Sequence, residues 1–214
     1  MTPLAGIDDD ATVTTVSQSG EDAEDIEDFR ARLLFRQQNQ PQGGSIADFV
    51  LWATEVAGIA EAFIDRPEPG FVTVYPITDD ADPADRIPSG AKLTEVENYV
   101  SDTERRPLNA TVTAAAPTEI EFDVDISDLS PNDAETKAAI ETAVENYMYS
   151  RRPLQYTDQA TDRSTISAAQ ITRIAINAGA EVATVDLKTA GGSSITSQTL
   201  DIDELAKLGT LSWV

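Results

Sequence analysis

Gln42-Gly43-Gly44-Ser45-Ile46-Ala47-Asp48-Phe49-Val50-Leu51-Trp52-Ala53-Thr54-Glu55-Val56-Ala57-Gly58-Ile59 is the stretch from which the rest of the chain can be read. Gly43-Gly44 closes a polar turn that begins at Gln37. Ser45, with Asp48 three residues later, forms a capping box that opens a helix. Phe49, Trp52, Ala53 and Val56 recur at helical spacing and mark its buried side. Gly58 stops the helix, and Ile59 begins an apolar run. Downstream, Ile59 to Arg66 is expected to pair with Phe71 to Ile77 across Pro67-Glu68-Pro69-Gly70 as a hairpin. An acidic loop from Asp79 to Pro88, a helix from Ser89 to Thr103 on Leu93, Val96 and Val100, and a strand from Leu108 to Ala116 follow. Upstream, Ser19 and Asp22 form a second capping box, with Glu21, Glu24 and Asp25 in the first turns and Arg30, Arg32 and Arg36 in the last, as the helix dipole favours. Ile26, Phe29, Leu33 and Leu34 form one apolar stripe. Residues 1–18 read as an extended lead-in.

Pro117 divides the chain. Beyond it, Ile120, Phe122, Val124 and Ile126 alternate with Glu121, Asp123 and Asp125, the pattern of a half-buried strand with a solvated acidic face. Ser130-Pro131-x-Asp133 reads as an N-cap with a first-turn proline, opening a helix that buries Ile140, Ala143, Val144, Tyr147 and Met148. After a polar excursion from Arg151 to Ser164, a helix over Thr165 to Ala178 leads through Gly179 into a strand from Glu181 to Lys188. Gly191-Gly192, a strand around Ile195 to Ile202 and a last strand at Thr210 to Trp213 complete the order. Gly58, Ala62 and Asp65 recur as Gly179, Ala183 and Asp186 at a constant offset, so helix, glycine, strand, turn, strand occurs twice. The expectation is an α+β fold of two small modules, each a short, mainly antiparallel sheet covered by helices, preceded by an N-terminal helix. The corresponding division is 1–44, 45–116 and 117–214, hinged near Pro117.

Composition restricts the function. Of 214 residues, 38 are Asp or Glu and 15 are Lys or Arg, a formal charge of −23. Such a surface repels nucleic acid and anionic membrane, and the adjacent cationic pairs, Arg105-Arg106 and Arg151-Arg152, are no counterion-releasing patch. No Cys and no His are present, which removes thiolate and imidazole catalysis and the usual zinc ligands. No apolar run approaches the roughly 20 residues that span a bilayer. Met1-Thr2-Pro3-Leu4-Ala5-Gly6-Ile7-Asp8-Asp9-Asp10 is acidic where a signal peptide is basic and then apolar, so a soluble, unexported chain is expected. Hydrophobic residues at 41% suffice for a packed core. Aspartate dominates the acids and arginine the bases, with Lys92, Lys137, Lys188 and Lys207 the whole lysine complement. That surface suits molar salt, where a Debye length of about 3 Å screens self-repulsion, and it suggests a protein of an extreme halophile or its virus.

No site chemistry stands out. A glycosidase pair needs one carboxyl in an apolar pocket, and the acids here sit on polar faces, at caps or in loops. Asp79-Asp80-x-Asp82-x-x-Asp85 and Asp123-x-Asp125-x-Ser127-Asp128 crowd oxygen ligands, but both lack the turn glycine and terminal glutamate of a calcium loop. Gly43-Gly44 lacks the lysine and the Gly-x-Gly spacing of a phosphate cradle. Catalytic residues, cofactor ligands and metal ligands are therefore expected to be absent. Tyr147, Tyr149 and Tyr156 flank Arg151-Arg152-Pro153, a combination favoured at protein contacts and equally compatible with ordinary cation-aromatic packing in an exposed loop. A carboxylate-based hydrolase or an acidic binding module remains the alternative to a structural role.

Gly20 to Leu33 followed by Gln42 to Ile59 resembles the central signature of the Baseplate J-like family, wedge proteins of contractile phage tails and related injection machines. The succeeding order is similar too: a Pro-Gly hairpin, Arg106-Pro107-Leu108-x-Ala110-x-Val112, Ala116-Pro117-Thr118, Ile166 to Ala178, Gly179-Ala180-Glu181-Val182 and Leu208-Gly209-Thr210-Leu211-Ser212-Trp213. The resemblance covers residues 4–214 and implies structural roles for Arg32, Gly43, Gly44, Trp52, Gly58, Gly179 and Gly209. It implies a wedge subunit that binds its own copies and other wedge, hub and sheath proteins, located in the virion tail and in host cytoplasm during assembly, with no catalysis and no cofactor. Family members usually carry a substantial region before this signature, so the chain is expected to be a fragment, or to have that region supplied by another chain or lost.

Overall fold

The structure, a computed structural model, describes residues 26–38, 43–79, 85–153, 155 and 163–214. Residues 1–40 and 41–214 form separate units. In the first, helix α1 (Ile26–Gln38) places Ile26, Phe29, Leu33 and Leu34 at 44 to 63% exposure, so the stripe read in the sequence forms but stays on the surface. Arg30 pairs with Glu27 one turn away. The expected Ser19 cap lies outside the described residues.

In the second unit, Ser45 caps α2 (Ile46–Thr54) as expected. Its Oγ accepts from Asp48 N at 3.2 Å, and Asp48 Oδ2 accepts from the Gly44 and Ser45 N–H groups, each at 2.9 Å. Gly58, at φ +80°, turns the chain into β1 (Ile59–Asp65), which pairs antiparallel with β2 (Phe71–Thr78) through Phe63 opposite Tyr75. Helix α3 (Gly90–Val100), capped by Ser89, carries the chain over to β3 (Thr111–Ala114), which lies parallel to β2 in the order β1-β2-β3. Phe49, Ala53 and Val56 of the α2 region pack with Ile64, Val72, Val74, Val96 and Val100 in one core.

The second sheet is built on β4 (Thr118–Ser130), whose Phe122, Val124 and Ile126 are at most 1% exposed. Helices α4 (Ala134–Ser150) and α5 (Ala168–Asn177) supply Ile140, Val144, Met148, Ile171 and Ala175 to the same core. Strand β5 (Thr165–Ser167) precedes α5, and β6 (Val182–Thr189), β7 (Ser194–Ile195), β8 (Ser197–Thr199) and β9 (Glu204–Trp213) follow it. Four strands order as β7-β6-β4-β9, with β4 antiparallel to β6 and parallel to β9, while β5 and β8 form a separate antiparallel pair.

Four local expectations are corrected. The α4 cap is Asp133, whose Oδ1 accepts from Thr136 N at 2.8 Å; Ser130 ends β4, and Ser130-Pro131 is cis. Thr165 to Ser167 is extended because it pairs with β8, and α5 starts only after its Ser167 cap. The strand expected over Ile195 to Ile202 divides into β7 and β8, which join different sheets. The last strand starts at Glu204, six residues before the expected Thr210, because its first half pairs with Thr118 to Phe122. The fold is α+β, and each larger sheet contains one parallel pair. Phe63 and Ile77 of the first sheet and Leu205 of the second share a third buried cluster across the Pro117 boundary.

Candidate interaction site at the joint between the sheets

Polar contacts surround that shared cluster. Arg86 belongs to the acidic Asp79–Pro88 segment and is 3% exposed. Its backbone is fixed by Thr78 N donating to Arg86 O at 2.9 Å. The guanidinium enters the second sheet: Nη2 donates to Ala206 O and lies 3.4 Å from Glu119 Oε1, Nη1 donates to Tyr149 O at 3.4 Å, and the Tyr149 ring lies 5.0 Å away. Burial pulls the Arg86 pKa down and nearby Glu119 opposes the shift. Glu119 also binds Lys207 at 3.2 Å, and that contact raises the lysine pKa. Arg86 Nε and Arg151 Nε are buried without a hydrogen-bond partner among the described residues, an arrangement that costs stability when nothing else satisfies the donor.

The C-terminal end of α4 closes the joint from the other side. Arg152 Nε donates to both Glu61 carboxylate oxygens at 3.1 Å, bridging to β1. The Gln155 amide then lies along the β1 edge, with its nitrogen donating to Ala62 O at 3.3 Å and its oxygen accepting from Ile64 N at 2.9 Å, as a neighbouring strand would. Arg151 stacks 4.5 Å from the Tyr147 ring, and Tyr147 donates its hydroxyl to Gln170. Burial raises the pKa values of Tyr147 and Tyr149. The structure thus brings Tyr147, Tyr149, Arg151 and Arg152 together, and places them in contacts within the chain. Tyr156 lies outside the described residues.

The remaining predicted positions are distributed. Gly44, at φ +117°, sits against the Pro107 ring beside a groove of about 490 Å³ lined by Phe49, Pro67, Pro69, Phe71 and Pro107, with Leu108 fully exposed close by in sequence. Gly43 and Gly179 also adopt positive φ. Trp52 packs edge-to-face on Phe49 with centroids 5.1 Å apart. Gly209 forms a bulge in β9, where Asp123 Oδ1 accepts from Thr210 N at 2.7 Å in the space a Cβ would fill. Arg32 lies in α1, and its side chain is outside the described set. Arg86 and Gln155 were missed in the sequence, since an arginine in an acidic loop and a glutamine in a polar excursion both read as solvated. Among the described residues, no group of three or more acids could hold a metal ion, and no helix is long and apolar enough to cross a membrane.

Residues 41–116 match the Baseplate J-like central domain, spanning the first sheet, its helices and the Gly44–Pro107 contact. Beyond this segment the similarity continues. The whole chain aligns with the protein JayE of Escherichia coli (strain K12) at 26% identity, covering 75% of that protein. Baseplate protein gp47 of Escherichia phage Mu is 30% identical over 158 residues, 70% of this chain and 43% of that one. The fold is similar to a chain of the anti-feeding prophage baseplate, 6-fold symmetrised, with a TM-score of 0.63 at 14% identity over 86% of this chain and 42% of that one. The chain therefore spans less than half the length of the Mu protein and of the prophage chain. The match ends at Ala116, so Arg86 ties the matched segment to the second sheet beyond it.

Proposed function

We infer that this chain, a structural protein of a phage-type tail baseplate, serves as a wedge subunit that links hub and sheath through protein–protein contacts. The observation carrying this reading is the Baseplate J-like central domain at 41–116 within a chain that aligns throughout its length with a relative. Residues 45–116 and 117–214 would act as two docking blocks, and Arg86, Arg152 and Gln155 would hold them in a fixed relation as load passes between neighbours. Its partners would be its own copies and other wedge, hub and sheath proteins, in the contractile tail of the virion and in host cytoplasm during assembly, with no catalytic turnover. Deleting the coding segment in its parent phage or prophage and imaging the particles tests this. Tails lacking a baseplate, restored by supplying the chain, are expected; complete contractile tails without the chain would overturn the reading.

We also infer a molar-salt setting from the charge of −23 and the scarcity of lysine. On the open face of the second sheet, Glu121 pairs with Lys207, and Asp125 and Asp186 share Lys188. Salt screens the lysine pairs too, but carboxylate repulsion across the whole chain outweighs them. The melting temperature is expected to rise from dilute buffer to several molar KCl, and an equal or lower value in KCl would exclude that setting.

A further inference from the structure

We propose that the outer edge of β9 is a self-pairing site, where a second copy of this chain adds its own β9 antiparallel about a two-fold axis through Ser212. The inference rests on the reading of the chain as an assembly subunit and names the surface that one of its contacts would use. Among the described residues, strand β9 has a neighbour, β4, on one side only. Val214 N donates to Ile126 O at 2.9 Å in a register that sets Ile126 opposite Trp213. In a parallel pair, that bond turns the N–H and C=O of Trp213, and of Leu211 two residues earlier, away from β4. At the other end of the strand, the outward carbonyl of Ala206 is taken by Arg86. Among the described residues, no hydrogen bond reaches the outward groups of Leu211 and Trp213.

Exposed edges are normally blunted by lysine, proline or charge. Leu208-Gly209-Thr210-Leu211-Ser212-Trp213-Val214 has none of these, in a chain that is 25% charged. The Gly209 bulge lies before the open groups and leaves Leu211, Ser212 and Trp213 in regular pairing with β4. Because the two outward residues are two apart, a two-fold axis at Ser212 sets Leu211 of each copy opposite Trp213 of the other and closes four N–H···O bonds. Leu211 and Trp213 pack on the helix side, with Lys137 of α4 5.4 Å from the Trp213 ring, so the apolar layer continues into the second copy. The occupant follows from the register of the edge. The outward N–H and C=O groups of Leu211 and Trp213 are matched group for group by an antiparallel copy of the same strand, and because this run has no Asp or Glu, two copies at −23 each bring no acidic side chains of β9 face to face there.

The chain has no cysteine, so Ser212→Cys introduces a single thiol. At the non-hydrogen-bonded position of the pair, the two Cα atoms would lie about 4.5 Å apart, inside the range that a disulfide spans. Mild oxidation of this variant should give a linked dimer on non-reducing gels, many-fold more than Ser193→Cys in the exposed β6–β7 turn. Ser212→Asp, which opposes two carboxylates, should sediment as the lighter species with an unchanged circular dichroism spectrum, while Ser212→Thr should still pair. Equal cross-linking of both cysteine variants, or self-association undiminished in Ser212→Asp, would overturn the proposal. A chain that builds tails yet fails these tests loses only the β9 pairing, whereas one that is dispensable for tails loses the structural reading.

Discussion

Replacing Arg86 with alanine should cost about 3–5 kcal/mol in urea unfolding, the range for removing one member of a buried ionic contact. Three losses combine: the Ala206 carbonyl, in a residue with no exposed surface, keeps no donor to replace Nη2; Tyr149 loses its stacked cation; and the volume of the guanidinium becomes a void. Glu119 fares better, because Lys207 remains 3.2 Å away. Glu119→Gln should therefore cost about 1 kcal/mol, an ordinary hydrogen-bond increment. Arg86→Met should fall between the two, restoring packing without the donors. If Arg86→Ala unfolds within 1 kcal/mol of the wild type, the joint does not depend on the guanidinium.

Gly44→Ala should be the other severe change, at about 2–4 kcal/mol, and Gly43→Ala next to it should cost about 1 kcal/mol. Both residues have positive φ, +72° at Gly43 and +117° at Gly44, but their surroundings differ. A Cβ on Gly43 meets nothing within 4 Å, while one on Gly44 falls 2.3 Å from Pro107 Cγ. Pro107 cannot swing aside as a long side chain would, since its ring is closed on the backbone. Gly44 also donates its N–H to Asp48 and its carbonyl accepts from Arg66 Nη2 at 2.7 Å, so moving the backbone to relieve the clash breaks the α2 cap and that contact together. Thermal melts of the two variants should separate by several degrees, at roughly 2–4 °C per kcal/mol for a chain of this size. Equal melting would mean that the loop carrying Pro107 yields freely.

Local chemistry made the first sheet legible in the sequence. The Ser45–Asp48 capping box, the Gly58 stop and the Pro-Gly hairpin each involve residues within a few positions of one another, and all three are present. The early start of β9 was not legible, because Glu204 to Leu208 shows no strand alternation and is extended by parallel pairing with β4, more than eighty residues upstream. Ser130 and Asp133 both carry capping chemistry, and only the reach of β4 to Ser130 decides between them. The same limit applies to the site. Tyr147, Tyr149, Arg151 and Arg152 could be recognised as contact-forming from residue type, but whether such residues face another subunit or another part of their own chain depends on what the fold sets opposite them. Arg86 shows this most clearly, since its burial is created by Glu119, Tyr149 and Ala206, all distant in sequence.

Gln155 and its counterpart on the far side of the first sheet set a limit on growth. The Gln155 amide takes up Ala62 O and Ile64 N of β1, and Glu97 of α3 accepts from Ala114 N at 3.0 Å on the outer side of β3. Side chains therefore terminate this sheet at both margins, as end-capping monomers terminate a polymer. Each terminator occupies groups that an added strand would need, so growth of this sheet at either margin would first have to break a side-chain hydrogen bond.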